Sequence, residues 1–424
     1  MKMKMSKISN RLSSQPRWIL GLFIGLVLLA ALSRSSNVRD KFPDKSGMSQ
    51  IRVPSKGRGY PPVLAYWICG GKGDSKRMLR LLKAIYHPRN QYLLQLDAGA
   101  PESERAELAI SIQSGSAFGA FGNVDVVGKS YPVDMMGSSA LSATLHAAAL
   151  LLKIGSDWDW FISLSPSDYP LVTQDDLLHA FTFLPKDLNF IDYSSNNGWK
   201  ERLKTNQIVI DPNLYYRENT PIMHAVETRT TPDAFKIFGG SPWMILTRDF
   251  MEYCVRGWDN FPRKLLMYLT NTAYPLELYF HTVICNSPDF QNTTINSTLR
   301  YINWDSSTAT GEPQLLKISH YNSMIASGSA FGRPFKEDDP VLQKIDENIL
   351  NRTANRFVPG KWCLGGGMLN KSIDESSKVE EELCSTKGNI DAVKPSSYGI
   401  KLRVLLSKLV EDGRVTTSQC QQQL

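Results

Sequence analysis

W-D-W-F-I-S-L-S-P-S-D-Y-P-L, running from Trp158 to Leu171, is the stretch on which the fold turns. Trp160 to Ser165 is an apolar, β-favouring run of strand length, and Pro166, which has no N–H for a sheet ladder, ends it. Asp168 then falls in a polar turn at the strand's C-terminal edge, before Asp175 and Asp176 open a helix. Ligands of open α/β sheets bind along that edge, which makes Asp168 a candidate binding residue. The alternative is a turn aspartate bonded to its own backbone.

Upstream of this stretch, Val63–Cys69 (V-L-A-Y-W-I-C) predicts a buried strand and Gly70-Gly71-Lys72-Gly73 a loop. Met78, Leu81, Leu82 and Ile85 follow at helical spacing until His87-Pro88 stops them. Tyr92–Leu96 predicts a second strand ending at Asp97, followed by a helix near 101–114, a short strand at Val124–Val127 and a long helix over Ser138–Ile154. This alternation predicts an α/β fold, a Rossmann-type parallel sheet with helices on both faces. Later strands are predicted at Leu188–Asp192, Gln207–Asp211 and Trp243–Leu246, and helices at Leu265–Leu269 and Glu277–Cys285. Residues 337–424 are charged and broken, and predict a smaller extension packed on a main body of 61–336.

The 424 residues carry a net charge of +7, spread along the chain without a basic-aromatic RNA motif, zinc finger or basic arm, which argues against a nucleic-acid partner. Trp18–Leu32 is an uninterrupted apolar run behind Lys2, Lys4, Lys7, Arg11 and Arg17. It is short beside the roughly 17–25 residues of a membrane helix, and a signal peptide has a similar core. The long leader, and the lack of a small-x-small site at Leu32-Ser33-Arg34, favour a retained anchor. The reading is a cytosolic tail over 1–17, a transmembrane signal-anchor over 18–32 and a breaker-rich stem over 33–60. Sequons at Asn292, Asn296, Asn351 and Asn370 all follow the run and favour a lumenal body, hence a type II protein. Cys363 and Cys384 flank a glycine-rich loop and read as a local disulfide, while Cys69, Cys254 and Cys285 could equally be disulfide-bonded or buried thiols. No cysteine has metal-site spacing.

Several groups could carry chemistry. The Gly70–Ser75 turn is either a phosphate cradle or a plain βα turn, and it lacks both the P-loop and the dinucleotide fingerprint. Asp97 either holds a ribose or base or is an ordinary strand-end acid. Asp157-Trp158-Asp159 has the D-x-D form of a metal site but precedes its strand, and so reads as a helix-to-strand turn. At the strand's other end Asp168 stands alone. One carboxylate holds a metal poorly, so the charge of a diphosphate would fall to Lys or Arg and no metal is expected. Trp199, Lys200 and Arg202 form either a sugar-binding loop or a surface loop with a packing tryptophan. Gly240, Ser241 and Trp243 either let the backbone approach a ligand or make a tight turn. Glu277 is the lone acid of A-Y-P-L-E-L-Y-F-H-T-V-I-C at a helix start opened by Pro275; it suits a general base, or else a structural N-terminal glutamate.

L-L-K-A-I-Y-H-P-R-N-Q-Y-L-L-Q-L-D (Leu81–Asp97), the opening stretch, G-S-P-W-M-I-L-T-R-D-F, G-W-D-N-F-P-R-K-L-L-M-Y and E-L-Y-F-H-T-V-I-C-N-S-P resemble family 14 glycosyltransferases. That group holds the core-2/I-branching β-1,6-N-acetylglucosaminyltransferases, and the chain is more narrowly similar to its plant β-glucuronosyltransferase branch, which acts on arabinogalactan proteins. The resemblance implies a GT-A-like fold in a Golgi type II membrane enzyme. It also implies inverting transfer from a UDP-sugar, here UDP-glucuronic acid, to a β-1,6/β-1,3-galactan glycoprotein acceptor, without metal or other cofactor. By the same resemblance Glu277 is the catalytic base, Asp97 contacts uridine, Asp168 lies on the donor side, and the 196–202 and 239–243 stretches border the acceptor. The family's F-A-R-K-F reads Phe331-Gly332-Arg333-Pro334-Phe335 here. Arg333 is retained for the diphosphate, a proline replaces the lysine, and Lys336 is the next cation. The rival readings are an N-acetylglucosaminyl- or xylosyltransferase, and a weakly active glycan-binding or scaffolding relative. Association with itself or with other Golgi glycosyltransferases is left open.

Overall fold

The structure, a computed structural model, describes residues 53–155, 157–192, 205–216, 219–257, 259–304, 313–363, 388–415 and 420. The proposed tail and anchor, Trp199, Lys200, Arg202, Asn370 and Cys384 lie outside these residues. Among the described residues no helix is long and apolar enough to cross a membrane.

The first half of the chain is β1 (Leu64–Gly70), α1 (Ser75–Ala84), β2 (Gln91–Leu96), α2 (Glu102–Ser114), α3 (Ser116–Phe121), β3 (Val124–Val126), α4 (Ser138–Ile154), β4 (Trp160–Leu164), β5 (Tyr169–Pro170), α5 (Gln174–Thr182) and β6 (Asn189–Phe190). The second half is β7 (Gln207–Ile210), β8 (Met223–Thr228), β9 (Ile245–Thr247), α6 (Arg248–Arg256), α7 (Phe261–Leu269), α8 (Leu276–Asn286), β10 (Thr294–Ile295) and β11 (Arg300–Ile302). It ends with α9 (Tyr321–Ser327), β12 (Phe331–Arg333), α10 (Pro340–Asn348) and α11 (Ser397–Val415).

β1 is apolar on both faces because both are covered. Leu64, Tyr66 and Ile68 join one hydrophobic cluster, whereas Ala65 and Trp67 join the other, as a period of two requires. α1 buries Met78, Leu81 and Leu82, the predicted stripe. In β4, Trp160 is fully buried and its indole N–H donates to the Leu188 carbonyl at 2.9 Å. Burying such a ring stabilises the fold by about 1.5–3 kcal/mol.

The main sheet has seven strands in the order β10-β6-β9-β4-β1-β2-β3. β1 pairs in parallel with both β2 and β4, but β9 runs antiparallel to β4 and to β6. The predicted all-parallel sheet is therefore mixed, since hydrophobic periodicity carries no information on strand direction. The predicted Gln207–Asp211 strand exists as β7, but it pairs with β8 in a separate hairpin. A small sheet, β11-β12-β5, lies beside the end of β4.

The D-W-D triplet sits at the opposite, N-terminal edge of the sheet. Asp159 accepts from the Val63 N–H at 2.8 Å and pairs with Lys186 at 2.8 Å, so it closes a turn. From the 337–424 segment, Ile345, Trp362 and Leu402 join the cluster of Leu64 and Tyr66, so this segment shares the main core. Cys285 is not a thiol: it is bridged to Cys420, an end-of-chain partner that local spacing does not reveal. Cys363 is also disulfide-bonded, while Cys69 and Cys254 are free. Asn292, Asn296 and Asn351 are exposed.

Candidate active site

β1 leads to β2 on one side and has β4 on the other, so the sheet changes direction between β1 and β4. The crevice outside the C-terminal ends of two such strands is the natural ligand site of an open α/β sheet. Its walls are Gly70-Gly71 and the Ser165–Asp168 turn. A Cβ on Gly70 would stand 3.0 Å from Pro166 Cγ and 2.8 Å from Met78 Sδ, so the glycine lets the two strand exits close on each other. Asp74 holds the β1–α1 loop through the Gly71 N–H at 2.9 Å, and Glu104 accepts from the N–H groups of Gly73 and Ser75.

Asp97 ends β2 beside this loop, its N–H bonded to the Gly70 carbonyl and its Oδ1 accepting from the Gly99 N–H at 2.9 Å. Burial raises its pKa; the N–H groups of Gly99 and Ala100 pull it down and the Asp74 charge pushes it up again. It is partly open, at the end of β2 beside the β1–α1 loop.

Asp168 does not present its carboxylate to solvent. Only 1 % of the residue is exposed, and Oδ2 accepts from the N–H and the hydroxyl of Ser165, both at 2.7 Å. That oxygen is the turn aspartate of the alternative reading. Oδ1 lies 3.5 Å from Arg300 Nε and 3.7 Å from Arg333 Nε. Two guanidiniums thus share one carboxylate, leaving one buried positive charge in excess. Burial, followed after the opposing Asp168 charge by repulsion from Arg333, brings Arg300 down to about 10, and burial lowers Arg333 as well; both remain cations near neutral pH. Arg300 also donates to the Ser163 carbonyl of β4 at 2.6 Å. Sequence reasoning missed Arg300; its signal, one arginine in the apolar run L-R-Y-I, becomes legible only once β11 is paired with β12.

The Arg333 guanidinium stacks 3.6 Å from the centre of the Trp243 ring, bringing a predicted donor residue against a predicted acceptor residue. Its Nε and Nη1 are buried without a hydrogen-bond partner among the described residues. Lys336 is exposed one residue beyond Phe335. Arg77, also missed, reaches from α1 to bond Ser167 Oγ at 3.3 Å and the Phe335 carbonyl at 3.2 Å.

Trp243 belongs to the loop that meets Glu277. The Gly240 N–H donates to the Glu277 carbonyl at 3.0 Å, and the Ser241 N–H to the Asp192 carbonyl at 3.0 Å. Glu277 is half-buried in the first turn of α8. Just before it Tyr274 adopts φ +50°, a left-handed conformation held by its N–H on the Met136 carbonyl at 2.7 Å. One turn further along α8, His281 Nε2 lies 3.0 Å from the same Asp192 carbonyl, which fixes it as the donor nitrogen. Strand end, loop and helix are thereby tied at one point. Among the described residues no three His, Cys, Asp or Glu side chains gather as metal ligands.

A family model described as Core-2/I-Branching enzyme matches residues 64–325. The chain is similar to Arabidopsis thaliana proteins. One, "Beta-glucuronosyltransferase GlcAT14A", is 43% identical over 93% of this chain and 84% of its own length. Another, "Beta-glucuronosyltransferase GlcAT14B", is 40% identical over 98% of each. "Xylosyltransferase 1" of Rattus norvegicus is 32% identical over 54% of this chain and 27% of its own length.

Proposed function

The chain belongs to the Core-2/I-branching enzyme family and is a glycosyltransferase; from that premise we propose that it transfers glucuronic acid from UDP-glucuronic acid to the β-1,6/β-1,3-galactan of arabinogalactan proteins. Glu277 takes the proton of an acceptor hydroxyl, whose oxygen attacks the anomeric carbon in line. The bond from that carbon to the diphosphate oxygen breaks, its electron pair leaves with UDP, and the configuration inverts. Asp97 faces uridine. Arg333 and Lys336 face the diphosphate, with fixed cations in place of a metal. Gly240, Ser241 and Trp243 border the acceptor.

The observation that carries this proposal is the single loop joining base to cation. Gly240 is bonded to Glu277, and three residues later Trp243 is stacked on Arg333. A base and a counter-charge for the leaving group are what an inverting displacement needs at its two ends. We further propose a GT-A arrangement, with 61–336 as catalytic region and 337–424 packed on it, in a Golgi type II enzyme anchored by 18–32. Exposed sequon asparagines and a long-range disulfide are consistent with a lumenal setting.

The test is transfer from UDP-glucuronic acid to galacto-oligosaccharides by purified protein, with and without chelator, against a panel of other UDP-sugars. Activity that persists with chelator and falls by about 10²–10⁴-fold in Glu277→Gln is expected for a lost general base. Preference for another donor would remove the glucuronosyl assignment. Full activity in Glu277→Gln would remove the base.

A further inference from the structure

We infer that Arg77 is a further fixed cation for the leaving diphosphate, beside Arg333 and Lys336. The proposal rests on the reading of the crevice as a site for a nucleoside diphosphate sugar. Arg77 lies in the first turn of α1, just beyond the Gly70–Gly73 loop, and its guanidinium joins three chain segments beside the crevice. Nη1 meets Asp74 at 3.0 Å, while Nη2 meets Ser167 Oγ at 3.3 Å and the Phe335 carbonyl at 3.2 Å. It therefore stands beside the Ser165–Asp168 turn, on whose buried face Arg333 lies. Pro334, between Arg333 and Phe335, supplies no charge.

Charge and donor counts both point to Arg77. Asp168 cancels one of the two positive charges of Arg300 and Arg333, which leaves a net two with Lys336, whereas the diphosphate gains a further negative charge as its bond to the anomeric carbon breaks. A guanidinium has five N–H donors. Three of Arg77's are engaged by Asp74, Ser167 and Phe335, and two remain for phosphate oxygens. About a fifth of the side chain is exposed, 22 %, so a ligand can reach it, unlike Arg300 at 0 %. Asp74 also receives the Gly71 N–H, which holds Arg77 in place before any ligand arrives. When the bond from the anomeric carbon to the diphosphate breaks, the electron pair settles on the oxygen whose charge Arg77 meets, and no proton or other reactant is required.

Titration calorimetry of the whole protein with uridine and with UDP, for wild type, Arg77→Ala and Arg77→Lys, separates this role from mere bracing. Arg77→Ala should leave the uridine Kd within about twofold and raise the UDP Kd about 10–100-fold, the range for losing a charge-assisted bond. Arg77→Lys should recover part of the UDP affinity, and kcat should fall with UDP affinity in the same order. Equal weakening of uridine and UDP would show a structural brace and overturn the inference, as would an unchanged UDP Kd. The result is independent of the donor assignment. A wild-type enzyme that ignores UDP-glucuronic acid but shows the split between uridine and UDP would sink only the glucuronosyl reading.

Discussion

Asp168 shows how one side chain can serve a site that it does not line. Its two oxygens do different work, one closing the Ser165 turn and the other holding Arg300 and Arg333 against mutual repulsion. Asp168→Asn keeps the shape but removes the carboxylate that lies between two guanidiniums. Breaking a buried pair in this way leaves an uncompensated charge and costs about 3–5 kcal/mol. Chemical denaturation should show that loss, with a smaller effect in Ser165→Ala, which removes one of the two Ser165 bonds; equal effects would place the value of Asp168 in the turn alone. The placement of Glu277 in the first turn of a helix and of Asp97 at a strand end was legible, because an acid in an apolar helix start and an acid after an apolar run both stand out. Arg77 and Arg300 were not, since their partners lie 90 to 258 and 137 residues away, respectively. Only the pairing of β12 with β5 and β11 brings those partners together. The loop carrying Trp199, Lys200 and Arg202 lies outside the described residues.

At the level of elements, the βαβ units up to β4 could be read directly, because apolar runs, glycine loops and helical stripes alternate without interruption. Past β4 the pattern weakens: β6, β10 and β12 have two or three residues, too few to show any period. β9 follows a loop rather than a crossover helix, which permits its antiparallel course. The N-terminus of α4 illustrates support from a distance. No residue at its own cap position bonds it; instead Asp211 Oδ2 accepts from the Ser139 N–H at 2.8 Å. A Cβ on Gly137 would sit 2.0 Å from that same oxygen, so only glycine admits the aspartate. Gly137→Ala and Asp211→Ala should each lower stability by about 1–2 kcal/mol, the range for a lost helix cap. The double variant should lose little more than Asp211→Ala alone, because the severe part of the clash goes with the carboxylate and only a 3.0 Å contact to the Cβ of residue 211 remains. Additive losses in thermal melts would show that the two act separately.

Across the whole molecule, buried ionisable groups give stability a pH dependence with opposing parts. Burial pushes His281 down to about 4, and burial with the nearby Arg89 charge pushes His87 down to about 3. An unfolded imidazole titrates near 6.5. The unfolded chain therefore takes up protons that these folded histidines refuse. Their contribution is complete above about pH 6.5 and is lost as pH falls towards 4. Asp175 acts in the other direction: burial raises it to about 6, so its contribution is present at low pH and is lost as pH rises from about 4 to 6. His87 Nε2 stands 3.7 Å from Asp175 Oδ1, yet this is not a strong ion pair, because burial disfavours the charged form of both groups. The difference in Tm between pH 6.5 and pH 4.5 should shrink in His281→Gln, which keeps a donor for the Asp192 carbonyl but cannot titrate. An unchanged difference would mean that His281 is solvated more than its 1 % exposure suggests. The Cys285–Cys420 bridge also gives the molecule an order in time. Cys285, in the helix that carries Glu277, is synthesised 135 residues before Cys420, a lag on the order of ten seconds at ordinary elongation rates. Until then the last turn of that helix has no covalent tie, and a nascent chain cut short of Cys420 can never acquire one. Closure of the bridge therefore has to wait until translation has passed residue 420.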